Sequence, residues 1–226
     1  MREIIVDTET TGLEYKKGDR IIEVACIELI NHIATENCLQ FYCSTKKTIT
    51  EGARKVHGLS NIFLDEFSTF AEQAEKFLEF IKTDTLIIHN ANFDLGFINN
   101  ELKLSDLKPL QNKFIDTTLL ARKKLNTRLT NLDYLCRRFS IDLSARKLHG
   151  AMLDCQLLSE VYIELLGGRQ TSLELAKLPN NKEDLENKRT IKKYKIHQIH
   201  ISPKEIRQHK EFVANLDSPE WHKIDY

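Results

Sequence analysis

The chain has 226 residues, enough for one good-sized domain with a sizeable core plus an extension. Charged residues make up 29% and balance to a formal net charge of zero, which excludes a global basic field, so any grip on nucleic acid has to be local. Five cysteines without a Cys-x-x-Cys pair argue against a disulfide framework or a zinc site, and the absence of a signal peptide or membrane-length apolar run predicts a soluble protein of the cytosol with no membrane partner.

Ile4-Ile5-Val6 reads as a short buried strand, followed by strand-like segments at 21–29 and 36–43. Phe70, Ala74, Phe77 and Ile81 then repeat at helical spacing. Thr85 to Ile88 and Lys113 to Ile115 are two further short strands. Leu132, Leu135, Cys136 and Phe139 form a second helical stripe, and Leu153, Leu157, Val161 and Leu165 the longest one, closed by Gly167-Gly168. Cys26 and Cys155 fall within these apolar patterns as small core residues. Three strands followed by alternating helices and strands predict an α/β fold, a mixed five-stranded sheet flanked by helices, over residues 1–168.

Beyond Gly168 the character changes. Three of the four prolines lie there, and Asn180 to Lys195 is polar with charges of both signs, as in a linker. Residues 169–195 are therefore assigned as a linker and 196–226 as a C-terminal segment. In the latter, Ser202 and Pro203 start a short helix, and Ile199, Ile206, Phe212, Leu216 and Trp221 are too apolar for an inert tail. A segment this short cannot bury them against itself, which predicts a partner surface.

Three motifs carry the chemistry. Asp7-Thr8-Glu9 ends the first strand, Asp94 follows the strand ending at Ile88, and His149 to Asp154 opens the longest helix. Asp7 and Glu9, two apart on an extended chain, lie on one side. Carboxylates at strand ends and helix starts are oxygen ligands for hard divalent cations such as Mg2+ or Mn2+. Two such ions about 3.5–4 Å apart can activate water and stabilise a leaving oxygen, as phosphodiester cleavage requires. Without metal, clustered carboxylates repel one another.

Singly, Asp7 reads as a turn cap, Asp94 as a helix cap, and Asp154 as a surface acid. Their joint occurrence beside buried elements favours a metal site. Neutral imidazole accepts a proton near neutral pH, so His149 is expected to be the general base. His57, in Val56-His57-Gly58, is either a substrate contact or a turn residue. His89 is expected to be a structural hydrogen-bonder, and Asp116 a support or helix cap rather than a ligand.

The order Asp-x-Glu, Asn-x-x-Phe-Asp, His-x-x-x-x-Asp resembles the DEDDh exonucleases, which have an RNase H-like fold, over about residues 3–167. Asp7-Thr8-Glu9-Thr10-Thr11-Gly12, Val56-His57-Gly58 and His149-Gly150-Ala151 with Leu153-Asp154 look, more closely, like the proofreading epsilon subunits of bacterial DNA polymerase III. The resemblance implies 3′→5′ exonuclease action on a single-stranded or frayed DNA 3′ end, using two divalent cations.

It also implies roles for individual residues. Asp7, Glu9 and Asp154 would hold the nucleophile-side metal, while Asp7 and Asp94 would position the second. His149 would be the proton acceptor. Thr10, Leu13, His57 and Asn92, with Asp7, Glu9 and Asp154, would contact the terminal nucleotides. Five positions before its Val-His-Gly histidine the family often has an acidic or amide residue; this chain has Gly52 there, with Glu51 beside it. Gln170-Thr171-Ser172-Leu173-Glu174-Leu175 looks like a sliding-clamp peptide anchored by Gln170, Leu173 and Leu175, and the C-terminal segment would bind the polymerase catalytic (alpha) subunit in the bacterial replisome. The competing readings are a stand-alone exonuclease trimming RNA or DNA 3′ ends, and a non-catalytic scaffold between polymerase and clamp.

Overall fold

In the computed structural model, residues 1–146, 148–168 and 202–215 are described. The expectations for Gln170, Leu173 and Leu175, and for most of 196–226, lie outside the described residues. Alternation along the first strand decides the layering. Ile4 and Val6 face one way and Ile5 the other, and all three are fully buried, so the strand needs cover on both faces.

That strand, β1 (Arg2–Thr10), is the middle of a five-stranded sheet. It pairs antiparallel with β2 (Ile21–Ile30), which pairs antiparallel with β3 (Ile33–Tyr42). On its other side it pairs parallel with β4 (Thr85–Ile88), which pairs parallel with β5 (Phe114–Asp116), giving the order β3-β2-β1-β4-β5. Asn31 and His32 both have positive φ, as a two-residue turn between twisted strands requires.

Three helices precede β4: α1 (Glu51–His57), α2 (Asn61–Leu64) and α3 (Phe70–Ile81). Next come α4 (Ala91–Leu104) before β5, then α5 (Thr117–Leu125), α6 (Leu132–Arg138) and α7 (Ala151–Leu166). On one face Ile4, Val6, Leu86 and Ile88 pack with Phe70, Phe77 and Ile81 of α3 and with Phe97 and Leu102 of α4. On the other, Ile5, Ala25 and Ile87 pack with Leu135 of α6 and Leu158 and Val161 of α7. Each fully buried Phe, Leu or Ile contributes about 1.5–3 kcal/mol, so these two layers dominate the stability of the sheet.

The α3 stripe matches its periodicity residue for residue, with a Thr69–Glu72 capping box at its start. Strand ends differ slightly from expectation: the last strand is Phe114–Asp116 rather than Lys113 to Ile115, because pairing continues from Ile88 to Asp116. β3 begins at Ile33, as the tight turn brings it into register early. α1, α2 and α5, and a 3-10 turn at Tyr15–Lys17, carry no strong apolar stripe and are not visible in the sequence pattern.

Because β1, β4 and β5 are parallel, their carboxyl ends open at one edge of the sheet, where α/β proteins place ligands. The chain divides into two units, Met1–Leu173 and Glu174–Tyr226. The second is described only as α8 (Pro203–Ala214) and its caps. Ser202 and Glu205 form its capping box and Pro203 sits in its first turn, as the sequence predicts. No helix among the described residues is long and apolar enough to cross a membrane.

Candidate active site

Asp7 and Glu9 are carried on β1 where it leaves its pairing with β4. A shift of register between Glu9 and Thr10 bends the strand at that point, as bulges beside functional sites do. Asp94 lies in the first turn of α4 and Asp154 in the first turn of α7. The start of α4 is unusual. Asn90 adopts a left-handed conformation, and the Asp116 carboxylate accepts from the backbone N–H groups of Asn90 (3.3 Å) and Ala91 (3.0 Å). Asp116 also accepts from Thr118 at 2.8 Å and caps α5. Burial pushes its carboxyl up, but these donors outweigh burial and hold it below the usual range. Asp116 therefore caps both helices, one of the two roles expected of it. His89 is the expected structural hydrogen-bonder, with Nδ1 2.8 Å from the Thr117 hydroxyl.

A cavity of about 410 Å3 is lined by Asp7, His89, Asp133, Arg146, His149 and Asp154, while Glu9 and Asp94 are not part of its lining. Glu9, His149 and Asp154 each offer one ligand atom, all within 4.8 Å of one another. Asp94 is turned inward by Thr8, whose N–H and hydroxyl donate to Oδ1 at 3.1 and 2.7 Å. Burial, then Asp94, Glu9 and Asp154, hold the Asp7 carboxyl well above its ordinary value. Burial and Glu23 push Glu9 up to about 8. Burial raises Asp94 to about 7 against the Thr8 hydrogen bonds.

Asp154 repels Asp7 and Glu9 as expected, but its own carboxyl is not raised. Burial pushes Asp154 up, yet Arg146 and His149 outweigh it and hold the carboxyl below its usual value. The Arg146 Nε and Nη2 donate to the two Asp154 oxygens at 2.6 Å each, and Nη1 pairs with Asp133. This arginine is largely buried and the sequence reading missed it. Its loop has no periodicity, and three residues before His149 it looks like any surface cation.

A second omission is Glu23, opposite Glu9 on β2 and almost fully buried. It accepts from the first amide of α7, Ala151 N–H at 3.3 Å, and from Gln40 at 2.7 Å. It thus ties the helix carrying Asp154 to the strand beside Glu9. A carboxylate inside the apolar run Ile21-Ile22-Glu23-Val24 was the signal available.

Of the proposed substrate contacts, Thr10, Leu13, His57 and Asn92 do not line this cavity; Asn92 lines a second one with Tyr15 and Gly96. Thr10 is buried, its hydroxyl donating to the Gly12 carbonyl at 2.6 Å, and Leu13 projects beyond it 79% exposed. Asn92 is exposed at the start of α4. His57 ends α1, and its Nδ1 accepts from Leu59 N–H at 3.0 Å. Nε2 therefore carries the ring proton, and it is buried with no hydrogen-bond partner among the described residues. The nearby Thr10 carbonyl favours the charged ring without accepting from it, while burial lowers the pKa. An orphaned buried donor is costly unless something else satisfies it. The His149 N–H donates to the Val56 carbonyl at 3.0 Å, fastening the His149 loop to α1. Glu51 is exposed in the first turn of α1 and pairs with Lys55 at 2.7 Å, while Gly52 faces open space.

Carboxylate oxygens with one imidazole fit a divalent cation, and the raised carboxyls show how much positive charge the cluster lacks. A pH dependence follows. Glu9 and Asp94 hold protons in the fold that the unfolded chain releases near pH 4, so the metal-free protein loses stability as pH rises from about 4 toward 8. The depressed Asp154 and Asp116 act oppositely, but only below about pH 4. Melting in chelator should thus fall across pH 5–8, and divalent cation should remove most of the decline. A flat profile in chelator contradicts the charge cluster.

Comparison with known proteins gives the family and the fold. The family model described as Exonuclease (RNase_T) matches residues 4–162. The DNA polymerase III subunit epsilon of Rickettsia prowazekii (strain Madrid E) is 42% identical over 228 residues, covering 96% of this chain and 97% of the relative. That of Escherichia coli (strain K12) is 41% identical over 184 residues, covering 77% and 75%. Among solved structures, exonuclease X in complex with 5′ overhanging duplex DNA aligns with a TM-score of 0.59 at 20% identity, over 73% of this chain and 90% of that one. The nuclease domain of 3′hExo, a DEDDh family member, bound to rAMP, aligns with a TM-score of 0.64 at 20% identity, over 73% and 91%. These two likenesses speak to the fold, which is RNase H-like.

Proposed function

The chain belongs to the exonuclease family, in the line of DNA polymerase III epsilon subunits, and is a 3′→5′ exonuclease that proofreads within the replicative polymerase; we propose that Asp7, Glu9, Asp94, His149 and Asp154 carry out its hydrolysis. The observation supporting this site is that Asp7, His149 and Asp154 line one cavity, that Glu9 lies within ligand distance of His149 and Asp154, and that Asp94 is close enough to raise Asp7. The family generally uses divalent metals, and the donor set here suits two ions, Mg2+ or Mn2+. Asp7, Glu9 and Asp154 would hold one, and Asp7 with Asp94 the other. When bound, such ions acidify the attacking water and neutralise charge building on the phosphate.

The chain's own residues do the rest. His149 takes the proton of the water that attacks phosphorus. The bond to the 3′-oxygen of the penultimate nucleotide breaks, that oxygen takes a proton from solvent as it leaves, His149 returns its own proton to solvent, and a nucleoside monophosphate is released. The Nε2–H of His57 offers a hydrogen bond to the terminal nucleotide, which would satisfy its orphaned donor. Thr10 and Leu13 at the end of β1, with Asn92 on α4, line its approach.

A site of this kind takes a frayed end, because a matched terminus must first lose its pairing and stacking. End-labelled single-stranded and mispaired DNA should be shortened from the 3′ end faster than matched duplex, with magnesium and not with chelator, and with only modest salt dependence. Attack from the 5′ end, or equal rates on matched and mispaired termini, would refute this reading. An RNA strand in the same assay separates the runner-up, a stand-alone trimming enzyme.

The remaining proposals concern partners. The peptide Gln170 to Leu175 is assigned to the sliding clamp and the segment from about Ile196 to Tyr226 to the alpha subunit, at the replisome in the bacterial cytosol. What supports them is the apolar content of a segment too short for a second core. Ending the chain after Gly168 should keep nuclease activity and abolish both associations, while Gln170→Ala with Leu173→Ala should weaken clamp binding alone. Unchanged pull-downs with a lowered melting temperature would mean that the tail caps the catalytic domain instead.

A further inference from the structure

We propose that Arg146 is a built-in mask of the active site: its guanidinium occupies Asp154 and His149 in the metal-free enzyme and must withdraw onto Asp133 when divalent cations arrive. The inference rests on the assignment of Asp154 and His149 to the metal site.

Four contacts define the mask. Nε and Nη2 of Arg146 take one Asp154 oxygen each, at 2.6 Å. Nη2 also lies 2.9 Å from Nδ1 of His149, and Nη1 pairs with Asp133. The same His149 nitrogen lies 3.3 Å from Oδ2 of Asp154, so the imidazole is held against the ion pair. Both Asp154 oxygens are engaged, so the carboxylate offers its best lone pairs to a guanidinium rather than to a metal.

The arrangement suits a protein that waits without metal. Among the described residues the Asp154 carboxylate is the member of the acidic cluster with an ion-paired cation, and the Arg146 side chain is only 7% exposed, so the pair is shielded from solvent screening. The route out is equally specific. Asp133, on α6, is 44% exposed, lines the same cavity and already holds the third nitrogen of Arg146. A small swing about that contact releases Asp154 and Nδ1 together while leaving the guanidinium charge paired. Divalent cations and Arg146 thus compete for Asp154, and Asp133 sets the balance.

The two ends of this competition respond oppositely to substitution. Mn2+ binding to the full chain without DNA is measured by calorimetry. Arg146→Gln removes the competitor and should tighten Mn2+ binding by about tenfold, the worth of a lost charge-assisted pair. Asp133→Asn removes the parking place and should weaken it severalfold. Weaker or unchanged Mn2+ binding in Arg146→Gln overturns the mask, since it would make Arg146 a support for the bound state. If Arg146→Gln does not fold, unchanged or tighter binding in Asp133→Asn overturns it. A wild type that binds no Mn2+ overturns the metal assignment and the mask together.

Discussion

Asp7→Ala is expected to lower cleavage by about 10³-fold or more, the rate equivalent of the several kcal/mol of charge stabilisation that a metal supplies. Asp7 is central because it is the carboxylate assigned to both ions, on the middle strand of the sheet. The same substitution should make the metal-free protein firmer. Asp7 is held well above its ordinary pKa by burial and by Asp94, Glu9 and Asp154, so its ionised form strains the fold at neutral pH. Relieving each kcal/mol should raise the melting temperature in chelator by about 2–4 °C for a chain of this size. Asp7→Asn, which keeps the shape, should behave alike.

Asp154→Ala should be as inactive but should not be firmer. Its carboxylate is paired with Arg146, and removing it leaves a largely buried guanidinium with only Asp133. Chelator melting curves for the two variants test the distinction, and full activity in either variant would remove it from the metal site.

That contrast marks how far sequence reaches. The order of the acidic residues, and their positions at the end of one strand and the starts of two helices, could be read directly. The local elements have strong periods: α3 is stated by Phe70, Ala74, Phe77 and Ile81, and β1 by three apolar residues before Asp7. The elements that escaped have weak ones. α1 buries only His57, and α5 only Thr117 and Ala121, with Arg122, Lys123 and Lys124 in its last turn, so neither announces a core face. Both are fixed by side-chain caps, from Thr50 and Asp116, rather than by a stripe.

The site was legible in its ligands and not in its electrostatics. Repulsion among carboxylates follows from their types, but which one is exempt depends on a loop cation reaching back to α6 and α7. No spacing rule encodes that, because the loop from Ser140 to Gly150 has no repeating face. Glu23 escaped for a related reason: its role is defined by a cross-strand neighbour and a helix amide far along the chain.

His149→Ala should lower turnover by about 10²–10⁴-fold, the usual contribution of a positioned general base. Its backbone N–H is fastened to Val56, so the loop should keep its place when the ring is removed. DNA binding should therefore persist, and so should metal binding, because Asp7, Glu9 and Asp154 remain. The loss should fall on the single-turnover rate rather than on KM, since the imidazole is asked to act only as the water loses its proton. The contrasting result is equally concrete. If the ring instead positions substrate or serves as a ligand beside Glu9 and Asp154, the variant loses DNA or metal affinity, and saturating either restores the rate. Comparing single-turnover rates at saturating Mn2+ and saturating single-stranded DNA decides between them: a defect that survives saturation belongs to proton transfer, and one that vanishes belongs to binding.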